Sequence, residues 1–135
     1  FAKFKRFDRD DIAAFIDLLP GTLGGITLRH AIEPRHKSFD DPAFFELCRA
    51  RNIAVVLDDS DEYPAIEADT ADFAYARLQR MNEEIETGYD DAGLDKFADR
   101  ARVWQAKGDA YIFMINGAKV RAPAAALALQ QRLGA

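Results

Sequence analysis

The run Ile53 to Leu57, IAVVL, constrains the fold of this chain more than any other stretch. Five apolar residues without polar alternation describe a strand covered on both faces, as in a parallel sheet with helices packed over it. The run ends in Asp58, Asp59 and Ser60, so a polar rim is expected where the strand stops. Ile26 to Glu33 reads as the preceding strand, ended by Pro34, which removes a ladder donor. Between the two, Asp41-Pro42 supplies the cap and first position of a helix with Phe44, Phe45, Leu47 and Cys48 on its apolar face, ending near Asn52. Phe73 to Leu78 and Ala110 to Ile115 read as the third and fourth strands. Ahead of the first strand, Asp8 caps a helix carrying Ile12, Phe15, Ile16 and Leu19, which Pro20-Gly21 stops. Tyr89-Asp90-Asp91 opens a long helix with Leu94, Phe97, Ala98, Ala101 and Trp104 on one face and Gly108 just past its end. Pro123 to Leu133 is a last, Ala- and Leu-rich helix. The space between the second and third strands is too short for a full amphipathic helix. Strands alternating with helices predict parallel β-α units, an α/β fold with four adjacent parallel strands and flanking helices.

The chain has 135 residues, of which 49% are hydrophobic, enough to bury one core and to form a single domain or a large piece of one. A formal net charge of −5 argues against a general phosphate-backbone binder, so nucleic acid is not the expected partner. The lone cysteine, Cys48, reads as a small buried apolar residue on its helix. No apolar run approaches the roughly 20 residues needed to span a bilayer, and no signal-peptide pattern opens the chain, so a soluble, cytoplasmic protein is expected. The first residue is Phe1 rather than Met, which suggests a start inside a longer gene product. Nucleophile-elbow, Walker and dinucleotide-type glycine patterns are absent, which argues against serine hydrolase, P-loop and Rossmann chemistry.

Ligands of α/β folds bind beyond the carboxyl ends of parallel strands, which directs attention to the polar residues there. After the first strand stand Glu33, Arg35, His36 and Ser38. Glu33 and Arg35, two apart, point to one side of a strand, as a structural ion pair or as a substrate-binding pair. His36 titrates near neutrality and suits a general acid or base, or a hydrogen-bonded rim position. His30 faces the opposite way, toward the helical layer. Asp58, Asp59, Asp61 and Glu62 offer hard oxygen ligands, yet consecutive acids in a loop are usually solvated, and no second histidine or spaced carboxylate completes a metal set. Arg77 ends an otherwise apolar strand, where a long cation needs a partner or an anionic ligand, and it is the first choice for anion binding. Asn116-Gly117 offers backbone donors to a phosphate or forms an ordinary turn.

Taken in order, LRHAIEPRHKSF, IAVVLDDS, TADFAYARL, YDDAGLDKFADRARVW, YIFMIN and RAPAAALALQQRL resemble the C-terminal half of the domain-of-unknown-function 72 family, the YecE-like proteins. Glu33, Arg35, His36 and Ser38 match the family's Glu-Phe-Arg-His-Pro-Ser segment. Asp59 and Ser60 match its Ala-Asp-Ser strand end, Arg77 its Arg-Leu-His-Gly, and Asn116 the Asn of its Tyr-Phe-Asn-Asn turn. The sequence departs at Pro34, Lys37 and Phe39, at Gln79-Arg80 in place of His-Gly, at Gly117, and at Ala125 where an Asn is usual. The resemblance implies a TIM-barrel-like (β/α)8 fold of which this chain supplies about four strands, a half barrel. It implies no established activity or cofactor. It places Glu33, His36 and Asp59 as candidate catalytic residues, and Arg35, Ser60, Arg77 and Asn116 as candidate ligand-binding residues. Two functions follow as expectations. One is an enzyme doing acid–base chemistry on a small anionic or sugar-like molecule; the other is a binding or interaction module on the same scaffold, holding such a ligand or a nucleic-acid end. Because a full barrel takes about 250 residues, the partner expected at the bare strand edges is a missing N-terminal half or a second copy.

Overall fold

The structure, a computed structural model, describes residues 1–115 and 117–134. Helix α1, Arg9–Asp17, begins where Asp8 accepts a hydrogen bond from the Asp11 N–H (3.0 Å), satisfying one of the donors that a helix start leaves open. Helix α2, Pro42–Ala50, begins in the same way, with Asp41 accepting from the Ala43 N–H (2.8 Å) and Pro42 in the first turn. Helix α3, Asp91–Gln105, is capped by Asp90 through the Gly93 N–H (2.8 Å), and α4 spans Ala122–Leu133. All four helices expected from the sequence form. Among the described residues none is long and apolar enough to cross a membrane.

The strands depart from expectation at the first. Ile26 to Glu33 is not one strand. Thr22–Leu23 (β1) and Ile26–Thr27 (β2) pair antiparallel as a small hairpin, and only Ala31–Ile32 (β3) joins the main ladder. The cause is Gly24-Gly25, two residues at φ 57° and 81°, the backbone that a tight two-residue hairpin turn requires. Ile26 and Thr27 are thereby turned back on the residues after α1, and the Leu28 N–H bonds the Gly21 carbonyl (2.9 Å).

From β3 onward the sheet is parallel. The run after α2 forms Ala54–Val55 (β4) and Leu57–Asp59 (β5); β6 is Ala74–Leu78 and β7 is Ala110–Met114. β4 pairs with β3, and β5 pairs with β6, which pairs with β7. The run 54–59 therefore hands over from one ladder to the next, bonding back to the first strand through Val56 N–H and the Ile32 carbonyl (2.9 Å) and forward to β6 from Leu57 onward. No helix intervenes between β5 and β6. The loop there is pinned by buried Thr70, whose hydroxyl donates to the Ile53 carbonyl (2.7 Å).

Helices cover one face of this sheet. Leu57, Ala76 and Leu78 pack with Leu94, Phe97, Ala98, Ala125 and Leu129, while Ile32, Ile53 and Val55 pack with Ile12, Ile16, Phe39, Phe44 and Cys48. Each large side chain buried in this way contributes about 1.5–3 kcal/mol by leaving water. Burial also pushes the Cys48 thiol up to about 12, so it sits in the core as a neutral apolar group. The opposite face is paved with rings. Tyr75 stacks on Phe113 (5.1 Å between centroids) and on Tyr111 (6.3 Å), with Phe73 edge-on to Tyr111, and Tyr111 and Phe113 stay 37% and 43% exposed.

Candidate functional site

Side chains alternate along a strand, so adjacent acids on β5 face opposite ways. Asp58 lies in register with Arg77, and Asp59 with Leu78, whose side chain is buried under the helices. Asp58 therefore shares the ring-bearing face with Arg77, and Asp59 faces the helical layer.

On the ring-bearing face Glu33 is gripped from both sides. One carboxylate oxygen accepts from Arg35 Nε and the other from an Arg77 terminal nitrogen, although 44 residues separate Glu33 from Arg77. Pro34, fully buried, fixes the chain between Glu33 and Arg35. The Arg35 guanidinium also lies over the Tyr63 ring, 4.5 Å from its centroid. Beneath this group sits Asp58, with no exposure to solvent. Its Oδ1 accepts from the Gln79 side-chain amide (2.6 Å), and its Oδ2 has no hydrogen-bond partner among the described residues. Burial, and then the negative charge of Glu33, push the Asp58 carboxyl up to about 6; the Gln79 bond and the charges of Arg77 and Arg35 pull the other way. The cluster is thus neutral when Asp58 is ionised and carries one excess positive charge when Asp58 holds a proton.

The remaining sequence candidates surround this cluster. Asp59 accepts from the Tyr89 hydroxyl (3.0 Å), and Arg80 lies 3.8 Å from its second oxygen. Burial raises the Tyr89 phenol. Buried Ser60 accepts the Glu62 N–H on its hydroxyl (3.0 Å) and gives its carbonyl to Arg80 (2.8 Å), which also pairs with Asp61 (3.0 Å). His36 accepts the Ser38 N–H on Nδ1 (3.1 Å) and contacts the Ser38 hydroxyl with the same atom (2.9 Å), starting the short helical turn Lys37–Phe39 and leaving Nε2 for any other chemistry. Among the described residues no hydrogen bond or ion pair joins His36 to the Glu33 group. His30 Nε2 meets the Pro20 carbonyl (2.8 Å). Asn116 lies outside the described residues.

Glu33, Arg35 and Arg77 therefore come together, with Ser60, Asp59 and His36 at the same strand ends but in separate bonding groups. Arg77 has an internal partner in Glu33. Asp58 is not solvated, contrary to the expectation for a loop acid, because it belongs to β5 and points into the cluster. The four acids of that stretch do not converge, and among the described residues no group of three His, Cys, Asp or Glu is arranged to hold a metal ion. Sequence reasoning missed Asp58 and Gln79 as members of the cluster. A cleft of about 170 Å³ lined by Thr70, Val103 and Trp104 lies instead on the helical side, over β4, β5 and β6, where the missing helix leaves room.

The fold is similar to that of solved DUF72 family proteins. One from Thermotoga maritima matches with a TM-score of 0.68 at 20% identity, over 96% of this chain and 53% of its own. An Enterococcus faecalis member, seen in two crystal structures, matches with TM-scores of 0.69 at 14% and 16% identity, over 100% of this chain and 57% and 59% of its own. At these identities the likeness is one of fold. The chain spans somewhat more than half the length of these relatives. No curated protein matches it. The model of the family described as protein of unknown function DUF72 matches residues 1–135, and the chain belongs to that family.

Proposed function

We propose that the Glu33, Arg35, Asp58 and Arg77 cluster is the floor of a binding site for a small anionic or sugar-like molecule, at the mouth of a TIM-barrel-like domain of which this chain is the C-terminal half. The observation that carries the reading is Asp58, a wholly buried carboxyl with an unpartnered oxygen, placed under two guanidiniums. Such a group is costly to fold around and clusters at functional sites. Asp58 acts through its neighbours as a positioning residue: while it holds a proton, Arg77 and Arg35 outweigh Glu33, and an anion at the mouth is attracted. Arg77 makes the anion contact with the N–H groups of its fork beyond the one that Glu33 takes. Arg35 and Ser60 complete the binding wall, and Glu33 and His36 are the candidates for proton transfer, Asp59 being turned to the helical side. The second reading, a binding module without catalysis, is favoured by the commitment of both Glu33 oxygens to guanidiniums. The open ring-bearing face and the edges of β3 and β7 are covered by further strands, from an N-terminal half or from a second copy. What supports this is the share of the relatives that the chain spans.

Calorimetric titration with sulfate, whose charge is constant over the range, tests the site. Binding is expected to be tight below the Asp58 transition near 6 and to weaken as pH rises through it. Asp58→Asn, a fixed neutral side chain, is expected to keep the low-pH affinity throughout. Arg77→Ala is expected to abolish binding and Arg49→Ala, on the exposed side of α2, to leave it unchanged. A pH-independent affinity in the wild type, or equal losses in the two arginine variants, would overturn the reading.

The same proton enters stability. Asp58 binds it more tightly folded than unfolded, so the contribution is full below about pH 4 and is lost as pH rises through about 6. Urea denaturation of the wild type should show a component of on the order of 2–3 kcal/mol lost over this window that is missing from Asp58→Asn.

A further inference from the structure

One nitrogen of the His36 imidazole is fixed by two donors. Nδ1 accepts the Ser38 N–H (3.1 Å) and lies 2.9 Å from the Ser38 hydroxyl oxygen. That oxygen itself accepts the Phe7 N–H (2.8 Å), which ties it to the segment ahead of α1, 31 residues earlier. A backbone N–H can only donate, so Nδ1 meets it with its lone pair and carries no proton. The Ser38 hydroxyl, accepting from Phe7, has its own proton free to turn to Nδ1. A neutral imidazole carries one ring proton, which therefore sits on Nε2. The other tautomer would set Nδ1–H against the Ser38 N–H and take away the cap of the Lys37–Phe39 turn. Nε2 has no hydrogen-bond partner among the described residues, and the one buried side-chain nitrogen or oxygen without a partner there is Asp58 Oδ2, so Nε2 meets solvent. His36 directly follows Arg35, which with Arg77 holds Glu33 at this strand end. An N–H donor on a ring whose other nitrogen is committed suits an acceptor oxygen and offers nothing to an ammonium group.

We infer that His36 is a fixed hydrogen-bond donor of the mouth and not a base, its Nε2–H given to the bound ligand, and that the ligand class is an oxyanion with at least two acceptor oxygens, one for Arg77 and one for His36. This rests on the anion site argued above and deepens it. Of the two candidates for proton transfer, it leaves Glu33. Arg77 contributes charge, and His36 contributes a directed contact that a point charge lacks.

Nitrogen NMR and calorimetry decide it. Long-range proton–nitrogen spectra of the wild type at pH 8 read the tautomer without any ligand, the His36 signals being those lost in His36→Asn. They are expected to show a proton on Nε2 and a bare Nδ1. Sulfate is then titrated at pH 8 in the Asp58→Asn background, where the anion site is expected to stay charged and an ordinary imidazole is neutral. Adding His36→Asn is expected to weaken sulfate binding roughly 10-fold, the worth of one hydrogen bond to a charged group. Asn is among the best helix caps, so it keeps the Ser38 N–H satisfied and ends short of the Nε2 position. A mere capping role therefore predicts that the asparagine variant binds as its parent does. His36→Gln, whose amide N–H reaches that position, is expected to stay within about threefold of the parent, with unchanged far-ultraviolet circular dichroism in both. A proton on Nδ1, or sulfate binding untouched by His36→Asn, would overturn the inference. Absence of sulfate binding in the wild type at pH 5 would instead overturn the anion site and the contact with it, while the spectra still decide the tautomer.

Discussion

Gly108→Ala is expected to destabilise the protein by on the order of 3 kcal/mol or more, because its added Cβ meets the closest contact of any glycine in the chain. A Cβ at that position would stand 2.0 Å from the Asp72 carbonyl oxygen, a distance no side-chain adjustment relieves because the opposing atom is backbone. The two segments are held there from both sides. The Gly108 N–H closes the end of α3 on the Trp104 carbonyl (3.1 Å), and the Ala74 N–H, at the start of β6, bonds the Asp109 carbonyl (2.9 Å). Moving Gly108 outward therefore pulls either the α3 terminus or the first β6–β7 ladder bond out of place. Gly21→Ala is the control, because nothing lies within 4 Å of its added Cβ, and it should change stability by no more than about 0.5 kcal/mol. Equal denaturation midpoints for the two variants would show that the close approach relaxes without cost.

The role of Gly108 marks where sequence reading stops. Its place just past a helix end is visible from the apolar periodicity of α3. The contact that makes it necessary, with a residue 36 positions earlier, is not. Helix starts were legible because each is written within three residues: Asp8, Asp41 and Asp90 accept from the first turn they precede. Strand order was legible because β-α units neighbour in sequence. The strand Ile26–Glu33 was misread because Gly24-Gly25 lies outside it and closes a hairpin that takes its first two residues. In the site, the residue types at the strand ends were visible and their facing was not. A strand apolar on both faces hides which way its last residues point, so nothing in IAVVLDDS separates Asp58, in the cluster, from Asp59, under Tyr89. The demand of Arg77 for a partner was readable from its place on an apolar strand. That the partner is Glu33 depends on the sheet bringing the ends of β3 and β6 to one side.

Glu33→Gln is expected to cost about 2–3 kcal/mol of stability and, at the same time, to lower the titration of Asp58 from about 6 toward the ordinary aspartate range. The first effect follows from what is left behind. Arg35 and Arg77 are 31% and 22% exposed at the side chain and lose their shared counter-charge while the fold still holds them inward. Fully buried pairs lose about 3–5 kcal/mol when one partner is removed, and the partial exposure here lets water take up part of that loss. The second effect follows from the balance at Asp58. Burial is the largest influence holding the Asp58 proton and Glu33 the next, so once Glu33 is neutral both guanidiniums favour the Asp58 carboxylate against burial alone. The two effects are linked through pH. Wild-type folding gains more from the Asp58 proton below about pH 6 than the variant does, so the variant's deficit should be larger near pH 4.5 than near pH 8. Urea denaturation at the two pH values, with carboxyl-carbon NMR of Asp58, measures both. A deficit independent of pH, together with an unchanged Asp58 midpoint, would mean that Glu33 and Asp58 do not share one electrostatic site.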